Sequence, residues 1–126
     1  MSVQNNNALN IESPLSVASW NVRGINNLKK RASILRALKR EKLDIIALQE
    51  TYITGSNDYD DIQRQWGGSI HFNSGSNRSK GVITLFSQSM KNELIEVVHK
   101  SNDGRILVSS LTYEKEKFII VNVLPP

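Results

Sequence analysis

A switch of hydrophobic period within the first fifty residues restricts this chain more than any other feature. Leu15 to Val22 alternates apolar and small polar residues, with Leu15, Val17 and Ser19 on one face and Ala18, Trp20 and Val22 on the other, as a strand does. Gly24 ends it. From Leu28 to about Lys42 the positions Ala32, Leu35 and Leu38, with Ile34 beside them, recur at helical spacing, and Lys29, Lys30, Arg31, Arg36, Lys39 and Arg40 fill the remainder, which predicts an amphipathic helix. Asn26 or Asn27 can cap its first amides, whereas Lys29, Lys30 and Arg31 in the first turn oppose the helix dipole, a conflict that an anionic neighbour would relieve. Leu43 to Leu48 is an almost unbroken apolar run that ends in Gln49, Glu50 and Thr51, the pattern of a strand buried on both faces. Strand, helix and strand in so short a space make a βαβ unit with parallel strands and a right-handed crossover.

The flanking sequence is less constrained. Residues 1 to 13 are polar and Asn-rich without periodicity and read as a disordered leader, which leaves 14 to 126 as the structured part. Gly55 to Asp61 reads as a polar connection and Ile62 to Trp66 as a short helix. Ser69 to Phe72 and Val82 to Phe86 are strand-like on either side of the loop Asn73 to Lys80. Met90 to Lys100, Arg105 to Thr112 and Lys117 to Val123 are β-branched runs broken at Asn102-Asp103-Gly104 and Glu114-Lys115-Glu116, and the last two predict a hairpin. No repeat of fixed period is present.

Composition excludes several classes of function. The 126 residues include no cysteine, which removes disulfides, zinc ribbons and thiol catalysis. No stretch approaches the roughly 18 apolar residues of a membrane span, and the first ten residues lack a signal-peptide core, so an intracellular location is expected. Sixteen Lys and Arg against twelve Asp and Glu leave a charge of +4, compatible with an anionic partner without demanding one.

Two polar residues terminate apolar strands of the same βαβ unit: Asn21 near the end of the first and Glu50 just past the second. The C-terminal ends of such strands lie side by side, where ligands bind in open sheets. A carboxamide oxygen and a carboxylate are hard donors suited to Mg²⁺, which takes one or two carboxylates and keeps waters that a phosphate can displace. On sequence alone the simpler account is a turn residue at Asn21 before Gly24 and a solvated strand end at Glu50, because polar residues commonly follow strands. His71, beside Phe72 in a strand, and His99, before Lys100 at the end of another, read as structural or solvated. The helix region supplies seven cations between Lys29 and Lys42, and Arg78 and Lys80 lie in a flexible loop, so both could follow a phosphate backbone or simply face water.

Ser19-Trp20-Asn21-Val22-Arg23-Gly24 and Leu48-Gln49-Glu50-Thr51, joined by a basic helix containing Lys30-Arg31, resemble the first two motifs of the endonuclease/exonuclease/phosphatase superfamily. The pairing of Asn-Val-Arg-Gly with Gln-Glu-Thr is most similar to the apurinic-type endonuclease domains of LINE-type retrotransposons. Ser79-Lys80-Gly81-Val82 with Leu85-Phe86, and Asp103-Gly104-Arg105 leading into Phe118 to Val123, resemble the strands that follow. The resemblance implies an α/β fold, part of the four-layered DNase I-like sandwich with mixed sheets. It also implies hydrolysis of DNA phosphodiesters with Mg²⁺ or Mn²⁺. In it Asn21 orients the site, Glu50 binds the metal with Asn21 beside it, and Arg23, Tyr52, Arg78 and Lys80 are DNA-binding candidates.

Further expectations follow from the resemblance. DNA is the expected partner, with a reverse transcriptase module in the parent element and a nuclear site of action. The family's next motif, Asn-Val-Tyr-Ala-Pro-Asn, places a tyrosine on the reacting phosphate, where this chain reads Asn122-Val123-Leu124-Pro125-Pro126. Its Gly-Asp-Phe-Asn and Ser-Asp-His motifs have no counterpart in these residues. The chain therefore reads as an amino-terminal half-domain, a fragment without activity on its own. The alternative is a non-catalytic nucleic-acid-binding remnant or a fragment without function. An uncovered apolar face is expected at Phe118 to Val123.

Overall fold

A computed structural model describes residues 2–5, 15–75 and 80–125. The βαβ unit forms as predicted from β2 (Ser16–Asn21), α1 (Leu28–Arg40) and β3 (Ile45–Gln49). The two strands run parallel, with Val17 opposite Ile45 and Asn21 opposite Gln49, so they end level with one another. Asn27 is the helix cap, its side chain accepting from the Lys30 amide at 3.0 Å. Anionic relief for the basic first turn comes from α2 (Ser56–Trp66), whose Asp58 and Asp61 pair with the fully buried Arg31 at 3.0 and 2.8 Å.

Antiparallel strands β4 (Ile70–Asn73) and β5 (Val82–Phe86) extend the same sheet, and β1 (Ser2–Asn5) pairs antiparallel with β2 on the other side. The resulting order is β1-β2-β3-β5-β4. A 3₁₀ turn at Gln88–Met90 leads to β6 (Leu94–Lys100), β7 (Ile106–Tyr113) and β8 (Glu116–Val123), an antiparallel second sheet of order β6-β7-β8.

Strand alternation explains how the layers are stacked. Ala18, Ile46, Leu48, Ile83 and Leu85 face the helices and pack against Ile34, Leu35, Leu38, Tyr59, Ile62 and Trp66. The alternate positions Val17, Ile45 and Phe86 face the second sheet and pack against Leu111, Ile95, Phe118 and Ile120. All five residues of β3 are buried because both sides of the strand are covered. The described residues thus build a mixed α/β stack of helices, large sheet and small sheet, consistent with the DNase I-like architecture.

Residues 2–5 of the supposed disordered leader form β1, because β2 offers them a free edge to pair with, while 6–14 lie outside the described residues. The connection expected at Gly55 to Asp61 is instead the N-cap, Gly55, and the first half of α2. Its apolar stripe, Tyr59, Ile62 and Trp66, is sparse, and its acidic residues are drawn inward by Arg31, so the local composition resembles a loop. Gly67, at φ 85°, closes the helix in the left-handed conformation.

The small sheet exposes much of its outer face. Ile119, Val121 and Val123 on β8, with Leu94 and Val98 on β6, are all at least 45% exposed, and β8 is an edge strand. Hydrophobic dye is expected to bind the folded chain, and Val121→Lys should diminish the fluorescence enhancement without loss of secondary structure. An enhancement unaffected by the substitution would place the dye elsewhere.

His71 on β4 is bonded through Nδ1 to the buried Ser109 hydroxyl on β7 at 2.7 Å, which joins the two sheets. Burial, and secondarily the Lys100 cation, hold its pKa below the ordinary histidine value. Between that lowered value and about 6.5 the unfolded chain binds more protons than the native one. Stability is therefore fully present above about pH 6.5 and declines as pH falls toward the folded-state pKa. His71→Gln should flatten that part of a urea-denaturation pH profile.

Candidate active site at the ends of β2 and β3

Two parallel strands that end level deliver their following loops to one place. The loops are zipped together by backbone bonds: Val22 N to Gln49 O at 3.0 Å, Gly24 N to Glu50 O at 2.6 Å and Ile25 N to Thr51 O at 3.0 Å. On the far side Thr51 N and Tyr52 N donate to the carbonyls of Gly81 and Lys80 at 3.2 and 2.8 Å, so the start of β5 joins the same cluster. Arg23, Glu50 and Tyr52 have φ of 53°, 55° and 56°, in the left-handed region that costs non-glycine residues about 1–3 kcal/mol each. Such conformations persist where the surroundings over-determine them and concentrate at functional sites. Arg23→Gly, at an exposed position, should accordingly raise the free energy of unfolding by about 0.5–1 kcal/mol in urea titration.

Side chains converge on this frame. Asn21 Nδ2 donates to Glu50 Oε2 at 2.5 Å, a charge-assisted bond, and the Arg23 amide donates to Asn21 Oδ1 at 3.1 Å. The amide hydrogen bond fixes which way the carboxamide faces, and the carboxamide in turn fixes the carboxylate. Lys80 Nζ stands 3.9 Å from Glu50 Oε1, and Lys30 Nζ donates to the Arg23 carbonyl at 3.1 Å. Glu50 is 22% exposed and Lys80 51%, so a single oriented carboxylate opens to solvent within a cationic surround.

The structure therefore gathers Asn21, Glu50, Arg23, Tyr52 and Lys80, five of the six residues singled out in the sequence; Arg78 lies outside the described residues. Tyr52 is 41% exposed, and its ring edge lies 3.4 Å from where a Cβ on Gly24 would sit. His71 is engaged with Ser109, and His99 is an exposed residue of β6. Among the described residues no three His, Cys, Asp or Glu side chains cluster as metal ligands. The donor set at the strand ends is one carboxylate and one carboxamide, hard oxygens of the kind Mg²⁺ takes alongside retained waters and substrate oxygens.

Sequence reasoning assigned no role to the buried groups beneath the site. Gln49 Nε2 donates to Ser19 Oγ at 3.0 Å, the Ala47 carbonyl at 3.2 Å and Asn122 Oδ1 at 2.9 Å. Asn122 Nδ2 reaches the carbonyls of Leu48 and Ile83 and Thr84 Oγ1 at 3.3, 3.0 and 3.1 Å. This network ties β8 to β3 and β5 one residue before Glu50. The available signal was a carboxamide at an inward-facing position of an otherwise apolar strand, Phe118 to Val123. Thr51 Oγ1, also fully buried, has no hydrogen-bond partner among the described residues.

The chain is similar to several known proteins. A model described as the Endonuclease/Exonuclease/phosphatase family matches residues 18–121. The DNA-(apurinic or apyrimidinic site) endonuclease of Dictyostelium discoideum is 29% identical over 118 residues, covering 91% of this chain and 31% of that protein. The Transposon TX1 uncharacterized 149 kDa protein of Xenopus laevis is 28% identical over 112 residues, 89% of this chain and 8% of that protein. Among solved structures, the AP endonuclease LMAP from Leishmania major superposes with a TM-score of 0.67 at 25% identity, over 84% of this chain and 38% of that one. The catalytic domain of Xenopus laevis APE2 gives 0.59 at 22% identity, over 87% of this chain and 45% of that one. This chain spans about a third of the apurinic relative and less than half of either structure.

Proposed function

Because the chain belongs to the Endonuclease/Exonuclease/phosphatase family, we propose that it carries the metal-holding and phosphate-gripping part of a site for Mg²⁺-dependent hydrolysis of DNA phosphodiesters. The observation that carries this reading is the 2.5 Å bond from Asn21 Nδ2 to Glu50 Oε2, at level strand ends and beside Lys80. Glu50 would hold the metal, with Asn21 beside it; Mn²⁺ would serve in place of Mg²⁺. The bound metal would supply Lewis-acid stabilisation of charge on a phosphoryl oxygen.

The chain's own residues do the rest of what is present here. Asn21 holds one Glu50 oxygen by donating to it and leaves the other facing Lys80. Lys80, Arg23 and Lys30 attract the phosphate backbone, and the exposed ring of Tyr52 offers a contact surface at the mouth of the site. Arg78 is assigned to the same DNA contact by its place in the loop before Lys80. His71 is committed to the sheet interface, so within these residues no imidazole is placed to activate water.

The substrate reading, DNA with an apurinic-type or LINE-like endonuclease as the parent, draws support from relatives described as an apurinic endonuclease and a transposon protein. A reverse transcriptase module in the parent and action in the nucleus belong to the same proposal. No helix among the described residues is long and apolar enough to cross a membrane.

The test is duplex DNA binding and supercoiled-plasmid nicking by the 126-residue chain. Mg²⁺ should strengthen binding in the native protein and not in Glu50→Gln, and nicking should stay at background. Equal affinity with Mg²⁺ and with chelator would overturn the metal reading, and nicking abolished by Glu50→Ala would overturn the expectation of inactivity. A second reading, non-catalytic nucleic-acid binding, is favoured by one observation: of the seven cations from Lys29 to Lys42 all but Arg31 are exposed. It predicts metal-independent affinity that falls with salt and is lost when Lys29, Arg36, Lys39 and Arg40 are replaced by alanine.

A further inference from the structure

We infer that Arg31 positions the Asn21–Glu50 pair, acting from the interior through the backbone of residues 23–25. The functional part of this inference rests on reading that pair as a metal-holding site. Arg31 differs from its neighbours Lys29 and Lys30 in being fully buried while they are exposed. A guanidinium taken out of water is tolerated only when its donors are satisfied. Here Nε donates to the Ile25 carbonyl at 2.9 Å, Nη1 to Asp61 Oδ2 at 2.8 Å and Nη2 to Asp58 Oδ1 at 3.0 Å. Three segments meet at one side chain: the loop after β2, helix α1 and helix α2.

From Ile25 the linkage runs directly to the site. The Ile25 amide donates to the Thr51 carbonyl at 3.0 Å, and the Gly24 amide to the Glu50 carbonyl at 2.6 Å. One residue earlier the Arg23 amide holds Asn21 Oδ1 at 3.1 Å. Both members of the pair therefore hang from a three-residue segment that Arg31 fixes at its Ile25 end. Arg23 and Glu50 are also two of the left-handed residues, at φ 53° and 55°, conformations that require an anchored frame. Arginine suits this task because its rigid fork serves one carbonyl and two carboxylates in different directions; the point charge of a lysine cannot.

The test uses the intact ¹⁵N-labelled chain with Mn²⁺ as probe. The Asn21 side-chain amide, bonded to a charged carboxylate, should resonate downfield of ordinary carboxamides. Arg31→Lys should return it to the ordinary range and weaken Mn²⁺ binding about tenfold, as loss of a supporting contact around a metal site typically does. Backbone amides of β3 and β5 should keep their shifts. A purely structural arginine would lower the unfolding midpoint and move neither readout, and that result overturns the inference. If Arg31→Lys does not fold, Asp58→Asn/Asp61→Asn takes its place, since those side chains are 46% and 26% exposed, and the same two changes are expected. If Glu50→Gln leaves Mn²⁺ affinity intact, the metal reading fails, and the Asn21 resonance alone decides the role of Arg31.

Discussion

Asn122→Leu is expected to lower the free energy of unfolding by about 3 kcal/mol. The side chain is 1% exposed and bridges the sheets by accepting from Gln49 and by an amide whose two hydrogens lie among three acceptors, Leu48 O, Ile83 O and Thr84 Oγ1. Leucine matches its size but leaves Thr84 Oγ1 and the second lone pairs of two buried carbonyls without a partner. Each buried orphan costs about 1–3 kcal/mol, partly offset by the gain in apolar burial. Urea denaturation followed by far-UV circular dichroism measures the change. A loss below about 1 kcal/mol would mean that Gln49 and the carbonyls find other partners, because a net hydrogen bond alone contributes that much. The substitution should also disturb Glu50, which follows the Gln49 that Asn122 holds.

Glu50→Gln should reduce Mn²⁺ affinity by at least about tenfold, read from the free-ion signal in electron paramagnetic resonance. The glutamine is isosteric and can still accept from Asn21 Nδ2, so the fold should be preserved and unfolding free energy should change by less than about 0.5 kcal/mol. What is lost is the negative charge bonded to Asn21 at the level strand ends. Asn21→Ala should have a smaller effect of the same sign, since it frees the carboxylate without removing it. Unchanged Mn²⁺ affinity in Glu50→Gln would show that the carboxylate is not the metal donor and would leave DNA contact by the surrounding cations as the surviving function.

Legibility in the sequence followed how local each cause was. The β2–α1–β3 unit was readable because strand alternation, helical spacing and a doubly buried run each lie within one segment. The parallel pairing then followed from general chirality rules. That same unit made Asn21 and Glu50 visible as strand-end residues, and the backbone frame brought them within a hydrogen bond. The first half of α2 was not readable, because Asp58 and Asp61 look like loop residues until the buried Arg31 that pairs with them is located 27 and 30 positions away. β1 was hidden for a similar reason: an Asn-rich segment has no strand signal of its own, and the edge of β2 supplies the pairing.

Sequence by itself determined the family resemblance, the parallel strand pair and the two residues at its end, because each is encoded in contiguous motifs whose spacing fixes direction and register. Only the tertiary structure decided how the pair is oriented. The left-handed backbone at Arg23 and Glu50, the Arg31 anchor and the Gln49–Asn122 bridge join residues up to 73 positions apart, and such contacts exist only once the sheets and helices have packed. The same holds for His71. Its sequence neighbours did not show its role, and the closure of β4 on β7 gave it Ser109 and a use in joining the sheets.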